Sequence, residues 1–438
     1  MELSKTKAGT IDPTYGERGY ARFRLTEAQS NAYIFAWTVD PTGRIIAQGS
    51  PFDSGYTRYF MTLNPQGREF FEKPIGNTPP GESYVQNITF INDGANASIL
   101  SYLSCTRFTA DGDLLWYGSI FRYDEAFEPV NGFGQNGRVE VSPLHTSNAA
   151  SISKARLIRE GVIKPSEHLL APATAPAAHS IYIDGKIKTV YSTSLEDTPG
   201  SQETWLSLHN PDDGRLTEGL GADGSQRQIK IENIDSSQFS LWGAQFLKNG
   251  DLALAGIDGT GAFVAYYTRN GEHQKEWGGQ GYVRLGRRNV SLGAHETWIV
   301  ATLGTYAPAS DGIRLTLYAF DRATGKPISD FGKDGIVDIT IGGLKPRKGV
   351  VPVRVIIDES NRVYVACNLV LIDDDNSFDF QGIIYRFQAD GFLDYSFSQD
   401  GQYDLEPGER VEEMALHSDG LRVLYRHGDE FLAIKLTI

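Results

Sequence analysis

The chain has 438 residues, 40% of them hydrophobic and 11% aromatic, with 21 Tyr, 22 Phe and 47 Gly but only 3 Met. That balance suits a folded, turn-rich β protein and excludes general disorder. Lys and Arg number 41 against 55 Asp and Glu, a formal charge of −14, which argues against nucleic acid or an anionic lipid surface as a partner of the whole molecule.

No apolar run approaches the roughly 20 residues that span a bilayer, and residues 1–10 (MELSKTKAGT) lack the apolar middle of a secretory signal. The expectation is a monomer without a membrane span, cytoplasmic by default, with non-Sec export left open. Cys105 and Cys367 stand far apart and outside any CxxC or CxxH spacing, so they read as two reduced core cysteines and signal neither a disulfide framework nor zinc.

A repeat runs through the chain. In order, its copies are AGTIDPTYGERG (8–19), QGREFFEKPIGN (66–77), AFEPVNGFGQNG (126–137), DGRLTEGLGADG (213–224), NGEHQKEWGGQG (270–281), TGKPISDFGKDG (324–335) and DGFLDYSFSQDG (390–401). The best copies hold Gly, an aromatic six residues on, and a closing Gly four after that. The closing positions Gly19, Asn77, Gly137, Gly224, Gly281, Gly335 and Gly401 are 58, 60, 87, 57, 54 and 66 residues apart. The 37 residues after Gly401 and the first 19 together make one more unit of that size.

Inside each unit a polar turn leads into an apolar β run: 40–49, 91–100, 183–191, 248–256, 359–367 and 418–426, with 293–301 lacking the Gly. In the second unit ADGDLLWYG (110–118) fits as well as INDGANASIL (91–100). A third run of strand length precedes each glycine motif, at 57–64, 119–124, 204–210, 263–270, 315–321, 382–388 and 431–437. Counting one strand after each closing Gly gives four strands per unit, seven times. The predicted fold is therefore all-β, a single seven-bladed β-propeller domain over residues 1–438. Its units are 20–77, 78–137, 138–224, 225–281, 282–335, 336–401, and 402–438 joined with 1–19. The N-terminal segment is expected to close the ring by docking beside the C-terminal strand.

The phrase with Arg386, Phe387, Asp390, Gly391, Asp394, Phe397 and Gly401, and that with Asp12, Tyr15, Gly16 and Gly19, resembles the delta-60 repeat of bacterial propeller-like proteins. The resemblance spans essentially the whole chain, with eroded copies ending at Asn77 and Gly224. It implies the fold and no particular chemistry.

The two glycines of each motif are expected where the outer strand of one blade passes to the inner strand of the next. The aromatics between them (Tyr15, Phe133, Trp277, Phe331 and Phe397, with Leu220 substituting) are expected to fill the space between blades, in preference to serving as sugar-stacking platforms. Asp12 and Asp394 are expected to accept turn N–H groups.

Two irregularities stand out. The third unit carries an excess at about 145–180, with a basic stretch (Lys154, Arg156, Arg159), a Pro/Ala-rich connector and His145, His168 and His179. It reads as a tolerated surface insertion, or as a partner-binding excursion. The sixth unit carries IDDDNSFDF (372–380), where Asp373, Asp375, Ser377 and Asp379 fall at every second position. A calcium loop would want Gly at its sixth position and Glu at its twelfth, where Ile384 stands, so an acidic hairpin tip is the plainer reading and no cofactor is assigned.

There is no GxSxG, P-loop or placed GxGxxG, and no catalytic, metal or cofactor residue is named. The expectation is a non-catalytic module binding a protein or glycan by a propeller face or channel mouth. The alternatives are a propeller enzyme of hydrolase, lactonase or lyase type, and a toxin- or secretion-associated propeller.

Overall fold

The computed structural model describes residues 7–25, 30–51, 57–75, 83–92, 97–108, 114–141, 145–147, 179–194, 202–220, 226–231, 234, 240–286, 289–305, 313–341, 347–372, 378–398 and 400–438. In chain order the strands are β1 (Tyr20–Arg22), β2 (Arg24–Leu25), β3 (Ser30–Val39), β4 (Ile45–Pro51), β5 (Tyr59–Leu63), β6 (Phe70–Pro74), β7 (Ser83–Asn92), β8 (Ala97–Phe108), β9 (Leu114–Asp124), β10 (Arg138–Glu140), β11 (His145–Ser147), β12 (His179–Ile183), β13 (Lys186–Ser194), β14 (Gln202–His209) and β15 (Gln226–Ile229). There follow β16 (Ser240–Phe246), β17 (Leu252–Asp258), β18 (Gly261–Tyr267), β19 (Tyr282–Arg284), β20 (Val290–Ala294), β21 (Trp298–Gly304), β22 (Ile313–Asp321), β23 (Ile336–Ile341), β24 (Arg347–Ile357), β25 (Val363–Ile372), β26 (Phe378–Phe387), β27 (Gln402–Asp404), β28 (Glu409–His417), β29 (Gly420–His427) and β30 (Glu430–Leu436).

They form seven antiparallel sheets: β3–β6, β7–β10, β12–β15, β16–β19, β20–β23 and β24–β27, and a last one in which β28, β29 and β30 are completed by β1. Short β2 and β11 attach to the first and second. Seven four-stranded meanders are the architecture of a seven-bladed β-propeller. No helix is long and apolar enough to cross a membrane among the described residues.

Middle strands such as β4 and β5 are buried along their whole length. Covered on both faces, they show no alternation of burial, whereas outer β23 alternates. The polar turn of the second sheet lies between β7 and β8, so INDGANASIL holds it, and ADGDLLWYG runs into β9 instead.

The glycine motif does not carry the chain from one sheet to the next. Each motif joins the third strand of a sheet to its own fourth strand: β22 to β23, β26 to β27, β9 to β10 and β30 to β1 by register. The reason is a tight left-handed reversal. In the sixth copy Gly335 N–H donates to the Phe331 carbonyl at 2.9 Å, with Gly332, Asp334 and Gly335 all at positive φ. The four strands of a unit are those anticipated, grouped one strand out of phase.

Two compact units make up the chain: Met1–Ile75 with Gly261–Ala265 and Lys275–Ile438, and Gly76–Thr260 with Tyr266–Gln274. In the first, one core packs Val300, Leu315, Leu317 and Phe331 with Val355, Val365, Leu369 and Phe387. A second joins Tyr15, Phe23, Trp37, Ala47 and Met61 to Leu424 and Phe431. In the second unit Leu100, Tyr102, Ile120 and Phe133 pack with Ile187 and Tyr191.

The motif aromatics are buried. Tyr15, Phe133, Leu220, Trp277, Phe331 and Phe397 are between 0% and 2% exposed, which leaves no ring face for a sugar. Each of five lies against the opening glycine of the following motif: Tyr15 on Gly67, Phe133 on Gly214, Trp277 on Gly325, Phe331 on Gly391 and Phe397 on Gly9. Beside each contact the residue after the aromatic donates its N–H to the carbonyl preceding that glycine. The pairs are Gly16 to Gln66 (2.6 Å), Gly134 to Asp213 (2.8 Å), Gly278 to Thr324 (2.9 Å), Gly332 to Asp390 (2.7 Å) and Ser398 to Ala8 (2.6 Å). Sheet is thus stapled to sheet by one ring and one hydrogen bond.

Asp12 and Asp394 accept turn groups as anticipated, from Thr14 and Ser396 N–H at 2.9 and 3.0 Å. Each also pairs with the cation at the matching place in the preceding strand, Lys435 at 3.0 Å and Arg386 at 2.8 Å.

The termini meet within the first unit. Gly9 N–H donates to the Thr437 carbonyl (2.7 Å), Asp12 N–H to Lys435 (2.8 Å) and Thr437 N–H to Thr10 (3.0 Å). β1 then pairs with β30, Tyr20 opposite Ile434 and Arg22 opposite Leu432. The docking segment extends beyond residues 1–19, because the fourth strand, Tyr20–Arg22, itself lies beyond the closing glycine.

Candidate functional site

In every sheet the glycine motif and the first polar turn occupy one end. The connections from strand two to strand three, and from strand four to the next strand one, leave from the other. The 145–180 insertion is a connection of the four-to-one kind and 372–380 of the two-to-three kind.

Little of either belongs to the described residues. His145 to Ser147 form β11 against β9, with His145 opposite Trp116. His168, Lys154, Arg156 and Arg159 lie outside the description. His179 opens β12, its ring 5.6 Å from that of Phe246. Asp373, Asp375 and Ser377 lie outside it too, while the Asp379 carboxylate accepts the N–H of Phe380 at 2.8 Å. Among the described residues no three His, Cys, Asp or Glu side chains are placed to hold a metal ion. Cys367 is a free, fully buried thiol whose pKa is pushed up by burial and by the charge of Asp404.

The described chemistry at this end is richest in the first unit, on inner strands that share a backbone device. β3, β24 and β28 each carry a β-bulge, with Phe35, Val353 and Glu412 as the extra residue. A bulge bends the strand and re-aims its side chain.

Around Glu412 the parts converge. Arg410 Nε donates to Glu412 Oε1 at 2.6 Å, with the two side chains 22% and 26% exposed. The Arg410 guanidinium lies 5.5 Å from the centre of the Phe380 ring. Arg426 sits over both Tyr33 (5.9 Å) and Phe431 (5.8 Å). Tyr33 meets Phe431 edge-on at 5.3 Å and Phe35 at the same distance, and Arg58 lies 6.0 Å over Phe35. One residue on, Glu413 pairs with Arg354 at 3.5 Å.

Burial holds the Glu412 carboxyl above the usual carboxylate range, against the pull of Arg410 and Arg426. Burial, then the charge of Glu412, raises the Tyr33 phenol. The arrangement offers guanidinium forks and aromatic edges to a ligand, and one half-buried carboxyl that gains or keeps a proton more readily than a free one.

None of these residues stood out in the sequence. Tyr33 and Glu412 are nearly the whole chain apart, and the bulges have no turn residue to announce them.

No known family and no curated protein matches the chain. Among solved structures it is similar to polysaccharide lyase Uly1 (9% identity, covering 96% of this chain and 93% of that one, TM-score 0.44). It is also similar to an α-L-arabinanase of Penicillium chrysogenum complexed with arabinobiose (11%, 86% and 99%, TM-score 0.41). A prolyl endopeptidase matches over 81% of this chain and 47% of its own, at 12% identity and TM-score 0.31. At such identities and TM-scores these likenesses say nothing of what this chain binds or does.

Proposed function

We propose that the chain is a non-catalytic binding module, taking a protein or glycan ligand at the end of its sheets where strand two turns to three and strand four to one. The observation that supports it is the bulge series. One backbone device recurs on the inner strands while the residue it presents changes from Phe35 to Val353 to Glu412. A repeated frame with unrepeated chemistry is what recognition of a particular ligand requires. Arg and Tyr are also side chains that anchor protein contacts. We further propose kinship with the delta-60 repeat proteins, which the Arg386–Asp394 and Lys435–Asp12 pairs support as one element used twice.

The test compares intact protein with an Arg410→Ala/Arg426→Ala double variant, on an oligosaccharide array and in protein pull-downs. The expected result is ligand capture by the wild type that falls at least about tenfold in the double variant while its melting is kept. Capture that ignores both arginines would overturn the assignment. The raised carboxyl of Glu412 favours a second reading, a propeller enzyme with Glu412 as proton donor. Cleavage of a captured oligosaccharide by the wild type and not by Glu412→Gln would put that reading first.

A further inference from the structure

The outer strand of each sheet ends a hydrogen-bonded ladder. Short length, charge or proline normally blunts such an edge against pairing with other chains. Here β1, β10, β19 and β27 are three residues each, three of the four carrying Arg. β15 has four, and β6 reads Phe-Phe-Glu-Lys-Pro. β23 departs from this pattern, with six residues, Ile-Val-Asp-Ile-Thr-Ile, and no Lys, Arg or Pro.

Its outward groups can be assigned. Gly335 accepts the Ala319 N–H at 2.9 Å, and the register continues Leu317 opposite Val337 and Leu315 opposite Ile339. In an antiparallel ladder this turns the N–H and C=O of Val337, Ile339 and Ile341 toward β22, and those of Ile336, Asp338 and Thr340 away from it. Ile336 is satisfied by Lys333, in both directions, at 3.1 and 2.8 Å. Asp338 and Thr340 remain, two adjacent rungs at the edge of the sheet, and no described strand lies beyond them. Their side chains are exposed together with Ile336, while Val337 and Ile339 pack on the core. Thr316 donates to Asp338 Oδ1 at 2.6 Å, which fixes the carboxylate at the edge.

We propose that β23 is a docking edge for an extended peptide segment of a partner protein, added as a fifth strand, with β-branched residues at alternate positions and a Lys or Arg facing Asp338. Unmet backbone groups in strand spacing call for another backbone, not a sugar or a lipid. The exposed Asp338 carboxylate on the edge strand itself, on a chain of charge −14, calls for a basic residue. That net charge also disfavours a second copy of this chain.

The probe is a fluorescein-labelled heptapeptide, Val-Thr-Val-Lys-Val-Thr-Val, titrated with the full chain by fluorescence anisotropy. Thr340→Pro removes an outward N–H without touching the ladder to β22, and a strand edge tolerates proline there. Binding to the wild type and at least about tenfold weaker binding to Thr340→Pro are expected. As a second arm, Asp338→Lys should exchange its preference for the peptide with Glu in place of Lys. Equal binding to wild type and Thr340→Pro, or none to the wild type up to about 1 mM, overturns the proposal. So does a concentration-dependent dimer that Thr340→Pro abolishes, which would give the edge to a second copy.

Discussion

His209, at the end of β14, is fully buried, with Nδ1 at 2.9 Å from the Gly214 carbonyl and Nε2 at 3.0 Å from the Ser207 hydroxyl. A carbonyl only accepts, so Nδ1 carries the proton and Nε2 accepts from the serine. Burial lowers the pKa to about 4, against the bond to Gly214, which favours the charged form. A folded-state value below the unfolded 6.5 means the unfolded chain binds more protons between the two. Stability is therefore lost as pH falls from 6.5 toward 4, by up to about 3 kcal/mol from this ring. The wild type should lose its stability advantage over His209→Gln across that window, read from urea-unfolding midpoints at pH 7, 6 and 5. The His209 imidazole resonance should stay in its neutral position at pH 5. Midpoints that fall in parallel, or a ring that titrates near 6.5, would contradict this.

At the scale of the glycine motif, the residue after the aromatic sits in the left-handed region in five copies, at Gly16, Gly134, Gly278, Gly332 and Ser398. At Gly332 a Cβ would stand 2.3 Å from the Ile336 carbonyl oxygen, so glycine is required there. Ser398 holds the same conformation, φ 51°, and makes the same staple to Ala8, so it bears a strain that the glycine copies avoid. Ser398→Gly should raise the unfolding free energy by about 0.5–1 kcal/mol, seen as a higher thermal midpoint. A lowered midpoint would mean that the serine makes up for its backbone strain. The same geometry explains what the sequence could and could not convey. Strands, polar turns and buried aromatics were legible because alternation and turn chemistry act over a few residues. The phase of the grouping was not, since the pairing of β23 with β22 and not with β24 follows from the path through Gly332, Asp334 and Gly335. The bulge at Glu412 was invisible for a related reason. Nothing local marks it, and its neighbours Tyr33 and Arg426 come to it only through pairing and packing at long range.

At the scale of the whole chain, the two ends complete one sheet, and several independent terms converge on residues 7–22. β1 covers the outward edge of β30, and three backbone bonds join 9–12 to 435–437. Ala8 receives the Ser398 staple. Asp12 shares Lys435 with Asp419, both at 3.0 Å, and Asp419 holds Arg422 at 3.0 Å. Burial alone would raise the Asp419 carboxyl, but Arg422, His417 and Lys435 together hold it well below the usual carboxylate range. Arg422, fully buried, lies over the Tyr15 ring at 5.4 Å. Removing residues 1–22 deletes a strand, leaves the outward groups of Ala433, Lys435 and Thr437 unpaired, takes Tyr15 out of the core and strips Lys435 of one carboxylate. Losing the buried aromatic costs about 3–5 kcal/mol, and each orphaned buried polar group about 1–3 more. The truncated chain should melt far below the intact one or fail to fold. A synthetic peptide of residues 7–25 added in trans should bring the midpoint back up, because strand, staple and ion pair all lie within it. An unchanged midpoint after truncation would mean that the C-terminal sheet is stable with three strands, and that the N-terminal segment only decorates it.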